Sequence, residues 1–313
     1  MQGFETITNS IMTLALAMLV GFVCVKTKYI TEEQKNALSK VIVRVTLPLL
    51  VITSLTNQVF DHETLMNSVK VLIISLIVIG FLYIIGVLMS RPGNMEKSKA
   101  VMHTCMTCFG NVVFMAYPLI QALYGAEGLL YAAIFGLAND MYLWTVGVYR
   151  MASIKNGKSS FLGNLKNLLT PGTVSFIAAF IMMAFGFKFT GIIGDVMTGI
   201  GSTTTYLSMF FIGGTLAAVD FRHIYRRVRL FALTAVKMIA VPILLIFVLG
   251  MLDLSETVRA AVILQTAMPA STILAVLGME YDGDVVYCAE GVFITHLAGL
   301  VTLPLVYYLM SVL

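Results

Sequence analysis

Long apolar stretches alternate along the chain with short polar interruptions. The stretches run about 20 residues each, the length that crosses roughly 30 Å of hydrocarbon. They fall at 6–26, 38–57, 67–90, 100–123, 129–150, 171–190, 197–218, 229–250, 257–279 and 285–312. The pattern predicts an all-α integral membrane protein with ten transmembrane helices. Two of the ten carry a break at mid-segment. Pro118 ends the run Gly110-Asn111-Val112-Val113-Phe114-Met115-Ala116-Tyr117-Pro118, and Pro269 lies in Ala267-Met268-Pro269-Ala270-Ser271-Thr272. A proline in a helix lacks an amide donor and clashes with the carbonyl four residues back, here those of Phe114 and Gln265. Loosened backbone survives at membrane depth only where protein buries it or where it lines a cavity. Paired breaks in corresponding places of two halves are the sequence mark of a carrier's substrate site.

The longest connector, 151–170, contains Lys155-Asn156-Gly157-Lys158-Ser159-Ser160 and gives way to Pro171. It separates a first five-helix repeat, 1–150, from a second, 171–313, and forms a cytoplasmic linker between them. An odd number of spans per half sets the halves in opposite orientations, as an inverted repeat. Residue matches between the halves are faint: Tyr131-Ala132-Ala133 aligns with Tyr287-Cys288-Ala289 at an offset of 156.

Composition agrees with a membrane class. Hydrophobic residues make up 59% and charged residues 12%, with mean hydropathy +0.93; a soluble domain carries about 25% charged residues. Basic residues set the orientation. With the N-terminus outside, the groups Lys26–Lys40, Arg91–Lys99, Arg150–Lys166 and Arg222–Arg229 all fall in the cytoplasm, fifteen residues in total. Lys70, Lys188 and Arg259 fall outside, while Arg44 and Lys237 lie within spans. Both termini are therefore expected on the extracytoplasmic side of the cytoplasmic membrane. The net charge of +4 describes the cytoplasmic face and gives no reason to invoke nucleic acid. Met1 to Ser10 has no basic region, so the first span is expected to stay in the mature protein.

A helix interrupted at mid-membrane presents unpaired amides at the start of its second half, backed by the positive end of a dipole. Gly110 and Asn111 in the fourth span, with Met268, Ser271 and Thr272 in the ninth, surround these breaks and are the expected binding residues along with Pro118 and Pro269. Asn111 donates hydrogen bonds to an anion or, on the bland reading, staples neighbouring helices. Asp140 lies about eleven residues into its span, roughly 16 Å deep. An acid at that depth is a functional hypothesis by default, its alternative being a hydrogen-bonded strut. Glu290 is shallower and within reach of headgroups or water. His296 matches Asp140 at the 156-residue offset and is the third expected ion-coupling residue. His103 reads as interfacial. Cys105-Met106-Thr107-Cys108 is a lone CxxC inside an apolar helix, better read as packing than as metal binding. Gly213 and Gly214 suit either helix packing or a sliding contact.

The segment Gly110-Asn111 through Tyr117-Pro118-Leu119 to Ala122-Leu123-Tyr124-Gly125 resembles the fourth span of the auxin efflux carrier family. Val45-Thr46-Leu47-Pro48, Met268-Pro269-Ala270 and Thr302-Leu303-Pro304-Leu305 extend the resemblance over essentially the whole chain. It implies two inverted five-helix repeats, a transport core moving against a scaffold, and elevator-like alternating access. It also implies an organic-anion substrate, since bacterial members are known as malate or malonate permeases and plant members export a carboxylate hormone. The chain lacks the long hydrophilic central loop of many plant members. It has Leu274 where some of them place a second ninth-span proline.

The expected function is secondary transport of small organic anions, with a proton or sodium ion as the coupling species and no other cofactor. No nucleophile and base, phosphate loop or soluble catalytic domain points to an enzyme. The other readings are a membrane receptor that binds a ligand without moving it, and a channel. The sequence leaves a homodimer open.

Overall fold

The computed structural model describes residues 2–155, 166–218 and 224–313; Lys158, Ser159 and Ser160 of the central connector lie outside them. Every described apolar segment is helical, and no strand occurs among the described residues. In chain order the main helices are α1 (Gln2–Lys26), α2 (Glu32–Thr56), α3 (His62–Ser90), α4 (Lys97–Cys108), α5 (Val112–Ala152), α6 (Pro171–Ala184), α7 (Gly191–Ala217), α8 (Val228–Gly250), α9 (Glu256–Thr266), α10 (Ile273–Glu280) and α11 (Val285–Val312). Of these, α2, α3, α5, α8 and α11 are long and apolar enough to cross a membrane, while shorter apolar stretches lie in α1 (Met12–Lys26) and α6. The 41-residue α5 is not one rod. Gly125 breaks it with φ 62° and ψ −151°, a conformation essentially confined to glycine.

Prolines shape three of the long helices in the same way. A wide π turn precedes each: Ile42–Thr46 before Leu47-Pro48, Val112–Ala116 before Tyr117-Pro118, and Val236–Ala240 before Val241-Pro242. Leu47 N–H donates five residues back to Ile42 O, and Val241 N–H to Val236 O. Widening the turn ahead of the ring accommodates a residue that has no N–H to give and that would strike the carbonyl four back. Pro304 instead stays inside a continuous α11.

The chain forms two compact units, each drawing segments from both halves of the sequence. The first comprises Met1–Val71, Val113–Ile134 and Leu169–Ala218. Its α1 and α7 approach at backbone distance. A methyl group on Gly213 would stand on the Met18 carbonyl, one on Gly21 would stand on that of Phe210, and one on Gly201 would lie 2.8 Å from Leu50 N in α2. The Gly213-Gly214 pair therefore serves close helix packing. Rings of Phe176 and Phe180 meet between α6 residues, Phe60 joins Phe180 edge-on, and Gln121 donates to Ser54 at 3.2 Å.

The second unit comprises Leu72–Val112, Phe135–Leu168 and Val219–Leu313. One end of it is tied by basic side chains. Arg229 donates to the carbonyls of Pro92 and Gly93, Lys97 to that of Ser153, and Lys155 to that of Glu280. Lys99 pairs with Asp284 and Lys155 with Asp282. Connectors expected on one side of the membrane thus meet one another.

Candidate functional site

The second unit holds the two interrupted segments, and local sequence fixes each interruption. Helix α4 closes with Phe109 N–H donating to Cys105 O, after which Phe109 turns extended at φ −98° and ψ 118°. Helix α9 starts on the Ser255 hydroxyl, which accepts from Val258 N–H, and ends at Ala267, whose N–H reaches Ile263 O. Pro269 cannot continue it.

The two extended stretches lie antiparallel, with Gly110 opposite Ala270. Asn111 N–H donates to Pro269 O at 2.8 Å, and Ser271 N–H to Phe109 O at 3.1 Å. Glycine suits position 110 because a Cβ there would lie 3.2 Å from Met268 Cβ and 3.4 Å from Gln265 O. Behind the pair, Phe109 packs its ring on Gly147 in a further π turn, Leu143–Gly147. Helix α11 supplies the third side. Ala270 N–H donates to Thr295 Oγ1 at 3.1 Å, and that hydroxyl donates in turn to Gly291 O at 2.8 Å.

These bonds correct one expectation. The amides of Asn111, Ala270 and Ser271 are not available to a ligand, because the crossing segments and α11 satisfy them. Buried backbone donors find partners wherever one is in reach, and two antiparallel breaks supply each other's. Side-chain donors remain as well. Among the described residues, the hydroxyls of Ser271 and Thr272 make no hydrogen bond. Asn111 Nδ2 donates one of its two protons to His296 Nε2 at 2.9 Å.

His296 fixes that geometry. Its Nδ1 lies 2.8 Å from Val292 O, and a carbonyl only accepts, so Nδ1 carries the proton and Nε2 accepts. The ring is then neutral, and the Asn111 amide turns its nitrogen toward it. Both side chains are buried, Asn111 at 1% and His296 at 0% exposure. Both ring nitrogens of His296 are engaged, one by Asn111 and the other by Val292 O. Asp140 is half-buried on α5 within the second unit. Glu290 does not reach open water: it is 6% exposed and pairs with Arg227, Nε to Oε2 at 2.7 Å.

Of the expected binding residues, Gly110, Asn111, Met268, Pro269 and Ser271 come together at the crossing, with Thr272 following at the entrance to α10. Pro118 belongs to the first unit, beyond a π turn. His103 is buried against Tyr287, its Nδ1 2.8 Å from the phenol oxygen, rather than interfacial. Cys105 and Cys108 are buried free thiols, Cys108 pointing to Ile79 O. Two participants were not expected from sequence. Thr295 holds Ala270, and Lys237, 1% exposed, donates from Nζ to Thr107 O at 2.9 Å. A lysine near the middle of an apolar span is itself a signal, since a charge at that depth is costly.

Comparison with known proteins agrees with this architecture. A family model described as "Membrane transport protein" matches the chain twice, over residues 6–162 and 157–307. An uncharacterized transporter of Methanothermobacter thermautotrophicus is 24% identical over 301 residues, covering 95% of this chain and 96% of that one. Another, from Methanocaldococcus jannaschii, is 21% identical over 302 residues, covering 94% and 96%. Two matches that together span nearly the whole sequence place the chain in the membrane transport protein family, that of the auxin efflux carriers.

Proposed function

We propose that this transporter is a secondary carrier of small organic anions in the cytoplasmic membrane. Ten spans in two inverted five-helix repeats, with both termini outside, account for the twofold family match and the basic asymmetry of the connectors. The observation that carries the reading is the crossing of two broken segments around Asn111. Main-chain bonds lock the segments together, and His296 orients an amide that keeps one N–H to offer. The free hydroxyls of Ser271 and Thr272 follow on the adjoining segment. Neutral donors of this kind hold a carboxylate without a permanent ion pair, and each such bond to a charged group contributes about 1.5–3 kcal/mol. Alternating access of an elevator type moves the crossing between the two faces. Asp140, an acid within a spanning helix, carries the coupling proton.

Uptake of labelled malonate and malate into proteoliposomes tests the reading. Saturable accumulation that a proton gradient drives is the expected result. Flux without saturation indicates a channel. Binding without flux indicates a receptor.

A further inference from the structure

The exchange of partners at the crossing leaves one carbonyl to account for. In an unbroken helix the Asn111 N–H would donate to Thr107 O, four residues back. Here that N–H goes to Pro269 O. Thr107 O, at the end of α4, receives the Lys237 ammonium instead, at 2.9 Å. Lys237 lies near the middle of α8, on the π turn ahead of Pro242. Thr107 O is its one hydrogen-bond acceptor among the described residues, and none of the ion pairs among them includes it. An ammonium buried without a carboxylate is expensive, and an apolar side chain of similar volume would fill the same space at far lower cost.

The location explains why a cation is tolerated. The last carbonyls of a helix lack intrahelical partners and carry the negative end of its dipole. In carriers built on broken helices, such ends together with unwound carbonyls coordinate the driving cation. Lys237 reaches that position from a neighbouring helix on a four-carbon stem.

The geometry points to Lys237 as a tethered cation: its ammonium occupies the place at the end of α4 where a sodium or potassium ion would otherwise bind. The charge is covalently part of the carrier, so no alkali-metal ion binds there and none drives the cycle through this position. The inference rests on the crossing alone and is independent of the solute carried.

The test uses purified full-length protein in detergent without added solute, so failure of the carboxylate reading does not affect it. Tm is measured in sodium, potassium and choline chloride at equal ionic strength. Wild type is expected to be indifferent to the cation. Lys237→Ala, which opens the space and removes the charge, is expected to gain a saturable rise in Tm with sodium or potassium over choline, of about 2–4 °C. Lys237→Arg, which keeps a cation, should remain indifferent. A saturable sodium or potassium response in wild type overturns the inference, as does an alanine variant that responds to neither ion. Should the alanine variant fail to fold, Lys237→Met keeps the packing of the stem and takes its place in the comparison.

Discussion

At the scale of single residues, the crossing depends on a few oriented groups. Asn111→Ala removes a buried donor and leaves His296 Nε2 without its partner. Anion binding is expected to weaken by about 1–3 kcal/mol, read by titration of malonate against the purified carrier. Asn111→Asp should bind still more weakly, since it sets a carboxylate against a carboxylate. Unchanged affinity in both, with normal folding, removes Asn111 from the site. Asp140→Asn imitates the neutral acid. It is expected to keep binding and exchange while losing uphill accumulation under an imposed proton gradient; normal accumulation by this variant would assign Asp140 a structural part. Asn111 stood out in the sequence because a polar residue beside a broken span is conspicuous. Its partner did not, because the offset that paired His296 with Asp140 compares sequence positions, whereas a hydrogen bond depends on which side of a helix faces which neighbour.

At the scale of elements, glycines and prolines do opposite work. In α7, Gly213 meets the α1 backbone with no room for a methyl group, whereas Gly199 has nothing within 4 Å of an added Cβ. Gly213→Ala is therefore expected to force the helices apart and lower Tm. Gly199→Ala should raise stability by about 0.5–1 kcal/mol through the helix preference for alanine. Equal effects of the two substitutions in thermal unfolding would refute the packing role given to Gly213. The ninth-span break was legible from Pro269, since a missing N–H follows from covalent structure alone, whereas the fourth span breaks at Phe109–Asn111 and a π turn absorbs the clash of Pro118. The wide turns ahead of Pro48, Pro118 and Pro242 were not legible, because a kink and a π turn answer the same clash. Nor was the fate of the freed amides. Each interrupted segment, taken alone, exposes donors, and only the register of one against the other shows that they satisfy each other.

At the scale of the whole molecule, the side of the membrane on which each connector lies decides which way the crossing opens. Single cysteines replacing Gln2 and Ser159, each in a background without native thiols, are expected to label from opposite sides. Gln2 should react with an impermeant reagent on intact cells and Ser159 should not; the reverse pattern inverts the orientation. Helical content and membrane class were readable from hydrophobic periodicity and composition. The division into two compact units was not, since each gathers segments from both halves of the chain. One feature of the crossing bears on how such a carrier can diversify. The bonds that join Asn111 to Pro269 and Ser271 to Phe109 run between peptide groups and make no use of side chains. The junction can therefore outlast extensive replacement of the side chains around it, and a lineage is free to change what it carries without rebuilding the device that carries it.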